Sequence, residues 1–197
     1  MILVIETATT ACSVALIDGE TVLAYAHEEG ARGHAERLIP MIATLPQGGR
    51  ADAILVNCGP GSFTGVRVGI AAARALGLGW GVPVHGYSTH ALLAARLFQD
   101  HPEIEAADIV IEGGHGEVFC QPFQRAPFGP IAPLISRPPD DLAPMAVAAG
   151  SAANRVRCDI AYPVGPDARD TRLIPAALRT APPDPLYGRA PDAKPNP

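Results

Sequence analysis

The sequence predicts an α/β fold built from two lobes, the first complete over residues 1–98 and the second reduced over residues 99–197. Three observations carry that expectation. Strand-length apolar runs alternate with helix-periodic segments through the first half, in the order β-β-β-α-β-α-β-α. A strand ending in Glu, then a turn of small residues, then a second strand occurs twice, around Glu6 and around Glu112. A glycine-rich loop, running from Gly59 to Gly69 as Gly-Pro-Gly-Ser-Phe-Thr-Gly-Val-Arg-Val-Gly, joins an apolar strand to a long helix.

Residues 2–8 form an apolar run ending in small polar residues, residues 12–18 form a second, and residues 21–28 alternate. These read as three strands, the first two joined by the turn Ala8-Thr9-Thr10-Ala11. Gly30 to Gly33 breaks the pattern. From His34 the spacing of Leu38, Met41, Ile42 and Leu45 predicts a helix with one apolar face. Pro40 lacks a backbone donor and crowds the preceding turn, so a kink or a late start is expected. Residues 53–57 read as a buried strand, Phe63 to Leu78 as a helix, and Pro83 to Tyr87 as a short strand. Thr89 is placed as the cap of a helix through Phe98.

In the second half, Asp108 to Glu112 and Glu117 to Pro122 read as a strand pair around a glycine-rich turn. Pro127 to Pro144 reads as an edge segment or loop, and Met145 to Gly150 as a strand. Ser151 to Arg155 is expected to lead into a helix, and Thr171 to Leu178 to form the last one, interrupted near Pro175. The Pro-rich tail from Pro182 reads as extended. The repeated strand-turn-strand opening is the layout of the actin-like (ASKHA, ribonuclease-H-like) duplicated fold.

Composition narrows the function classes. The 197 residues are 48% hydrophobic but only 5% aromatic, which predicts a soluble globular chain packed through small side chains. The formal charge is −5 and the Arg residues are scattered, so RNA contact is expected only through a partner. Cys12, Cys58, Cys120 and Cys158 form no CxxC pair, which argues against a zinc ribbon and for buried free thiols in a reducing, cytoplasmic setting. No signal peptide is read at the start, and no apolar run approaches the ~20 residues needed to span a bilayer.

The glycine-rich loop has the strand-loop-helix form that can cradle a phosphate. It lacks the Lys-Ser/Thr of a Walker loop and the spacing of a dinucleotide loop, which favours a tight turn and close helix packing. Gly65, Gly69, Ala73 and Gly77 recur every four residues and place tiny side chains along one face. Glycine inside a helix costs ~1 kcal/mol relative to alanine, so another backbone is expected to come close. With Val66, Ile70 and Arg74 beside the stripe, and Leu38 and Met41 on the neighbouring helix, these residues are assigned to a partner-docking surface. Gly69→Leu is then expected to abolish pairing and leave the monomer folded.

The first turn, Glu6-Thr7-Ala8-Thr9-Thr10, stands where actin-like ATPases carry Asp-x-Gly-Thr around a phosphate. Glu6, Thr7 and Thr9, with Glu112 at the echoed position, are assigned to a vestigial nucleotide site, and the two acids form a pair able to hold Mg²⁺. The missing glycine argues against a working ATPase. None of the six histidines forms an HxxxH pair, and Ser62 does not sit in GxSxG, so neither a metal site nor a hydrolase nucleophile is assigned.

Several of these segments together resemble the TsaB (YeaZ) family. Ile5-Glu6-Thr7-Ala8-Thr9 and Cys12-Ser13-Val14-Ala15-Leu16 resemble its opening, and His34 to Ile42 its first long helix, proline included. Gly59 to Gly69, continuing to Gly77, is its most specific signature. Gly86-Tyr87-Ser88-Thr89, Gly116-Glu117-Val118-Phe119 and the stretch from Pro185 to Pro195 also match. The resemblance implies a non-catalytic scaffold in the t6A modification of tRNA. Such a subunit pairs with a TsaD-like enzyme that transfers threonylcarbamoyl to adenosine, is joined by a TsaE-like ATPase, and forms a homodimer when alone. It implies no membrane, and ATP or ADP only at a subunit boundary. The alternatives are a stand-alone actin-like ATPase or a glycoprotease-like peptidase. The chain departs from the family at Glu6, where Asp is usual, and at Glu112-Gly113-Gly114-His115, where Asp-Ala-Arg-Arg is usual.

Overall fold

A computed structural model describes residues 1–30, 33–143 and 145–188. The first strand, β1 (Ile2–Glu6), lies at the centre of a sheet, and Leu3, Val4 and Ile5 are buried on both of its faces. That is why the run is continuously apolar instead of alternating. It pairs antiparallel with β2 (Cys12–Asp18) and parallel with β4 (Ala53–Asn57). The edge strand β3 (Thr21–Glu28) continues from β2, and β5 (Val84–Tyr87) lies parallel to β4, giving the order β3-β2-β1-β4-β5. The parallel neighbours are joined through α1 (His34–Thr44) and α2 (Phe63–Trp80), because a parallel pair needs a long crossover.

The second sheet repeats this plan. β6 (Ala106–Gly114) pairs antiparallel with β7 (Glu117–Gln124) and parallel with β10 (Met145–Ala149), which is parallel in turn to β11 (Cys158–Tyr162). The short β8 (Gly129–Pro130) and β9 (Ile135–Arg137) both pair with β7. The order β11-β10-β6-β7-β8 matches the first sheet strand for strand. The two sheets share one core across α3 (Thr89–Asp100). Val4, Ala15, Ile17 and Leu55 of the first sheet and Ile109, Ile111, Phe119 and Phe123 of the second pack on its buried residues. A helix covered from both sides loses the one-faced pattern, so Ala91 through Ala95 are all buried.

Several local expectations change. α1 begins at His34, not later, and is not split at Pro40; the proline is exposed, so solvent can satisfy the carbonyl it frees. The cap of α3 is Ser88, whose hydroxyl accepts from the Ala91 amide, and Thr89 is the first helical residue. Ser151 to Arg155 leads only into a 3₁₀ turn and then into β11, a strand not anticipated. Thr171 to Leu178 is not a helix but parts of two 3₁₀ turns separated at Pro175. Pro144, part of the break at Gly30–Gly33 and the tail beyond Gly188 lie outside the described residues.

Candidate functional site

Glu6 ends β1 fully buried. Its carboxylate accepts from the Ala8 amide at 2.8 Å, from the Tyr87 hydroxyl at 2.9 Å and from the Asn57 side chain. Asn57 cannot turn over, because its own oxygen accepts from the Gly59 amide at 2.6 Å and the Thr89 hydroxyl at 3.0 Å. The Thr89 hydroxyl shares its one proton between that oxygen and the Pro60 carbonyl, 2.8 Å away. The chain ends of β1, β4 and β5 and the start of α3 are thus tied to the entry of the glycine-rich loop. Burial raises the Glu6 pKa to about 7, and the three hydrogen bonds pull the other way. Burial, then the Glu6 charge, raises the Tyr87 hydroxyl well above its ordinary value. Asn57, Tyr87 and Thr89 were not anticipated; a lone polar residue closing the apolar run of β4 was the available signal.

The glycine-rich loop is held against the β1–β2 turn. The Ser62 amide donates to the Ala8 carbonyl at 2.6 Å, and the Ser62 hydroxyl caps α2 by accepting from Gly65. A side chain on Gly61 would sit 2.1 Å from the Ala8 oxygen, and one on Gly65 2.1 Å from the Thr7 oxygen. The Thr7 hydroxyl donates to the Gly65 carbonyl at 2.8 Å. The turn that wraps phosphate in the Asp-x-Gly-Thr pattern is here filled by the chain's own helix entry.

The small-residue stripe therefore faces inward. Gly69 packs on Thr7, Val56 and Ile5, and Gly77 on Val82 and Val84 of the same chain. Gly65, Val66, Gly69, Ile70, Ala73 and Gly77 are buried, as are Leu38 and Met41 of α1. Of the residues assigned to a docking surface, Arg74 alone is exposed, and it pairs with Asp184. What the glycines admit is this chain itself: the Thr7 carbonyl just after β1, the Val82 carbonyl just before β5, and the side chains of Thr7, Val56 and Val84. A Leu at Gly69 would meet the Thr7 hydroxyl, which lies 2.4 Å from the first added carbon, so the fold itself would suffer.

What the two helices turn outward is different. On α2 the exposed positions include Phe63, Thr64, Arg67, Ala71, Ala75 and Leu78, the last 87% accessible. On α1 they include Ala35, Ile39, Pro40 and Ala43. Ile39 is 49% accessible and Phe63 62%. The same outward faces also carry Glu36, Arg37, Arg67 and Arg74, so apolar and charged side chains alternate around the exposed alanines.

A cleft of about 1190 Å³ opens between the two strand turns, bounded by the start of α1, the start of α2 and the segment Leu186–Gly188. Thr9 and Glu112 line it; Glu6 and Thr7 do not, being sealed beneath the loop. Glu112 is exposed and ion-paired with Arg155. The vestigial site is thus split, and Glu6 is committed to neutral donors inside the fold instead of facing Glu112 across the cleft. No group of three or more His, Cys, Asp or Glu side chains suited to a metal occurs among the described residues. On the cleft wall the His34 Nε2 donates to the Thr9 carbonyl at 2.8 Å.

The profile described as "TsaD: tRNA N6-adenosine threonylcarbamoyltransferase" matches residues 26–126. The chain is similar to the Escherichia coli tRNA threonylcarbamoyladenosine biosynthesis protein TsaB, 39% identical over 129 residues, covering 63% of this chain and 55% of that protein. It superposes on YeaZ from Pseudomonas aeruginosa with a TM-score of 0.78 at 28% identity, over 94% of this chain and 98% of that one. The chain belongs to the TsaB/YeaZ family. An uncharacterized Mycobacterium tuberculosis protein is 30% identical over 98% of this chain and 94% of its own. The match spans only about half the length of the E. coli relative. As a TsaB/YeaZ-family chain it keeps the mixed α/β architecture expected from the sequence. No helix among the described residues is long and apolar enough to cross a membrane.

Proposed function

We propose that this TsaB/YeaZ-family chain is a docking subunit, without catalysis of its own, in the biosynthesis of threonylcarbamoyladenosine in tRNA, and that it pairs with a TsaD-like transferase. The observation that carries the reading is the outward face of α1 and α2. Ile39, Phe63 and Leu78 stand exposed on these helices together with Ala71 and Ala75 and the flanking Arg67 and Arg74, a mix of apolar and arginine side chains that suits a protein interface. The similarity to the E. coli threonylcarbamoyladenosine biosynthesis protein supports the pathway. The use of Glu6 as an internal strut supports the absence of catalysis, because the acid that would meet a ligand is spent on Ala8, Asn57 and Tyr87.

The reading extends to a TsaE-like ATPase joining the pair, to a homodimer through the same face when the chain is alone, to ATP or ADP only at a subunit boundary, and to a cytoplasmic setting. A formal charge of −5 leaves tRNA contact to the partner.

The test combines the chain with the TsaD-like protein of the same genome. Ala71→Glu with Ala75→Glu alters two exposed helix positions, so the fold should survive. Placing two carboxylates in the contact should weaken the complex about tenfold or more and lower tRNA modification in parallel. Undiminished co-elution and modification by the folded double variant would remove this face from the proposal.

A further inference from the structure

We propose that residues 181–188 form a strap that sets the width of the cleft between the two sheets. Its near end is pinned to the first sheet by main-chain bonds. Gly86 donates to the Ala181 carbonyl and Leu186 donates to the Cys58 carbonyl, both at 2.7 Å. Its far end abuts the second sheet. A side chain on Gly188 would fall 2.3 Å from the ring of Phe119, which is buried in β7. Leu186, Tyr187 and Gly188 line the cleft.

Two side chains of α2 hold the strap down. Arg67 lies 3.3 Å over the Phe63 ring and donates to the Tyr187 hydroxyl at 2.7 Å, and Arg74 pairs with Asp184. Both arginines are exposed, so these ties are individually weak and screened by salt. The main-chain anchors are not. All of these ties join the strap to the first sheet and its helix α2, and the Gly188–Phe119 contact is the stop against which the second sheet rests. This role needs no partner protein, and a distance measured on the isolated chain reads it apart from docking, although Phe63 and Arg67 belong to both.

The experiment places spin labels on the full chain at Thr10→Cys and Asn154→Cys, with Cys158→Ser to remove the half-buried thiol. Thr10 is on the cleft wall of the first sheet, and Asn154 lies near Ser151 on the opposite wall. The parent should give one narrow distance distribution. Gly188→Leu should lengthen the mean distance by several ångströms, and Arg67→Ala with Arg74→Ala should broaden the distribution. Both effects should appear with an unchanged circular dichroism spectrum. The arginine pair is on the surface and keeps the test open should Gly188→Leu not fold. A distribution in the folded variants identical to the parent's would overturn the strap.

Discussion

Glu6 has three donors on its carboxylate, and none of them among the described residues is a cation. Because burial raises its pKa from 4.5 to about 7, the folded state holds the proton more tightly than the unfolded chain does. The stability this gives is present below the unfolded value and is lost as pH rises through the folded one. Between about pH 4.5 and pH 7 the loss should amount to roughly 3 kcal/mol, read from urea midpoints across that range. Glu6→Gln should flatten that slope; an equally steep slope in the variant would assign it to other groups. The glycines make a second contrast. Gly65→Ala forces a carbon against the Thr7 oxygen and should cost about 1–3 kcal/mol. Gly79→Ala meets nothing within 4 Å and should stabilise by roughly 0.5–1 kcal/mol. Thermal melts of the two variants moving in the same direction would contradict the inward packing of the stripe. The sequence showed that these glycines admit a neighbour. It did not show whose, because a helical wheel has no outside until the helix is placed on its sheet.

At the scale of elements, strands and helices were legible where burial is one-sided or complete over a long run. β1, β2 and β4 are continuous apolar segments, and α1 carries its stripe at Leu38, Met41 and Ile42. The misses share a cause. β11 is short and has no fully buried residue, so Cys158 to Tyr162 carries no alternation, and its pairing comes from β10. The segment from Thr171 reads as helical but is held as 3₁₀ turns by contacts outside its own residues. Asp170 pairs with Arg96 of α3, and the Ala168 amide donates to Ser13 of β2. α3 is the element on which both sheets depend. Leu92→Ala, at a fully buried position, should cost about 2–5 kcal/mol in chemical denaturation, against a much smaller loss for the exposed Leu78→Ala. Comparable losses at the two sites would mean that α3 is not the shared core.

At the scale of the molecule, the two sheets repeat one strand order, and the turns after β1 and β6 come to the edges of the same cleft. The duplicated opening was readable because a strand, a small-residue turn and a strand are local features with a local period. The order of elements, the apolar runs and the family signature from Gly59 to Gly69 were likewise fixed by residues near one another in the chain. Only the tertiary structure decided what those residues face. It turned the glycine stripe inward to β1 and β5, sealed Glu6 away from Glu112, and carried residues 181–188 back from the chain's far end to β5 and Phe119. The physical reason is the same in each case. Periodicity records that a side chain must be small or apolar, whereas the identity of its neighbour depends on contacts between segments far apart in sequence.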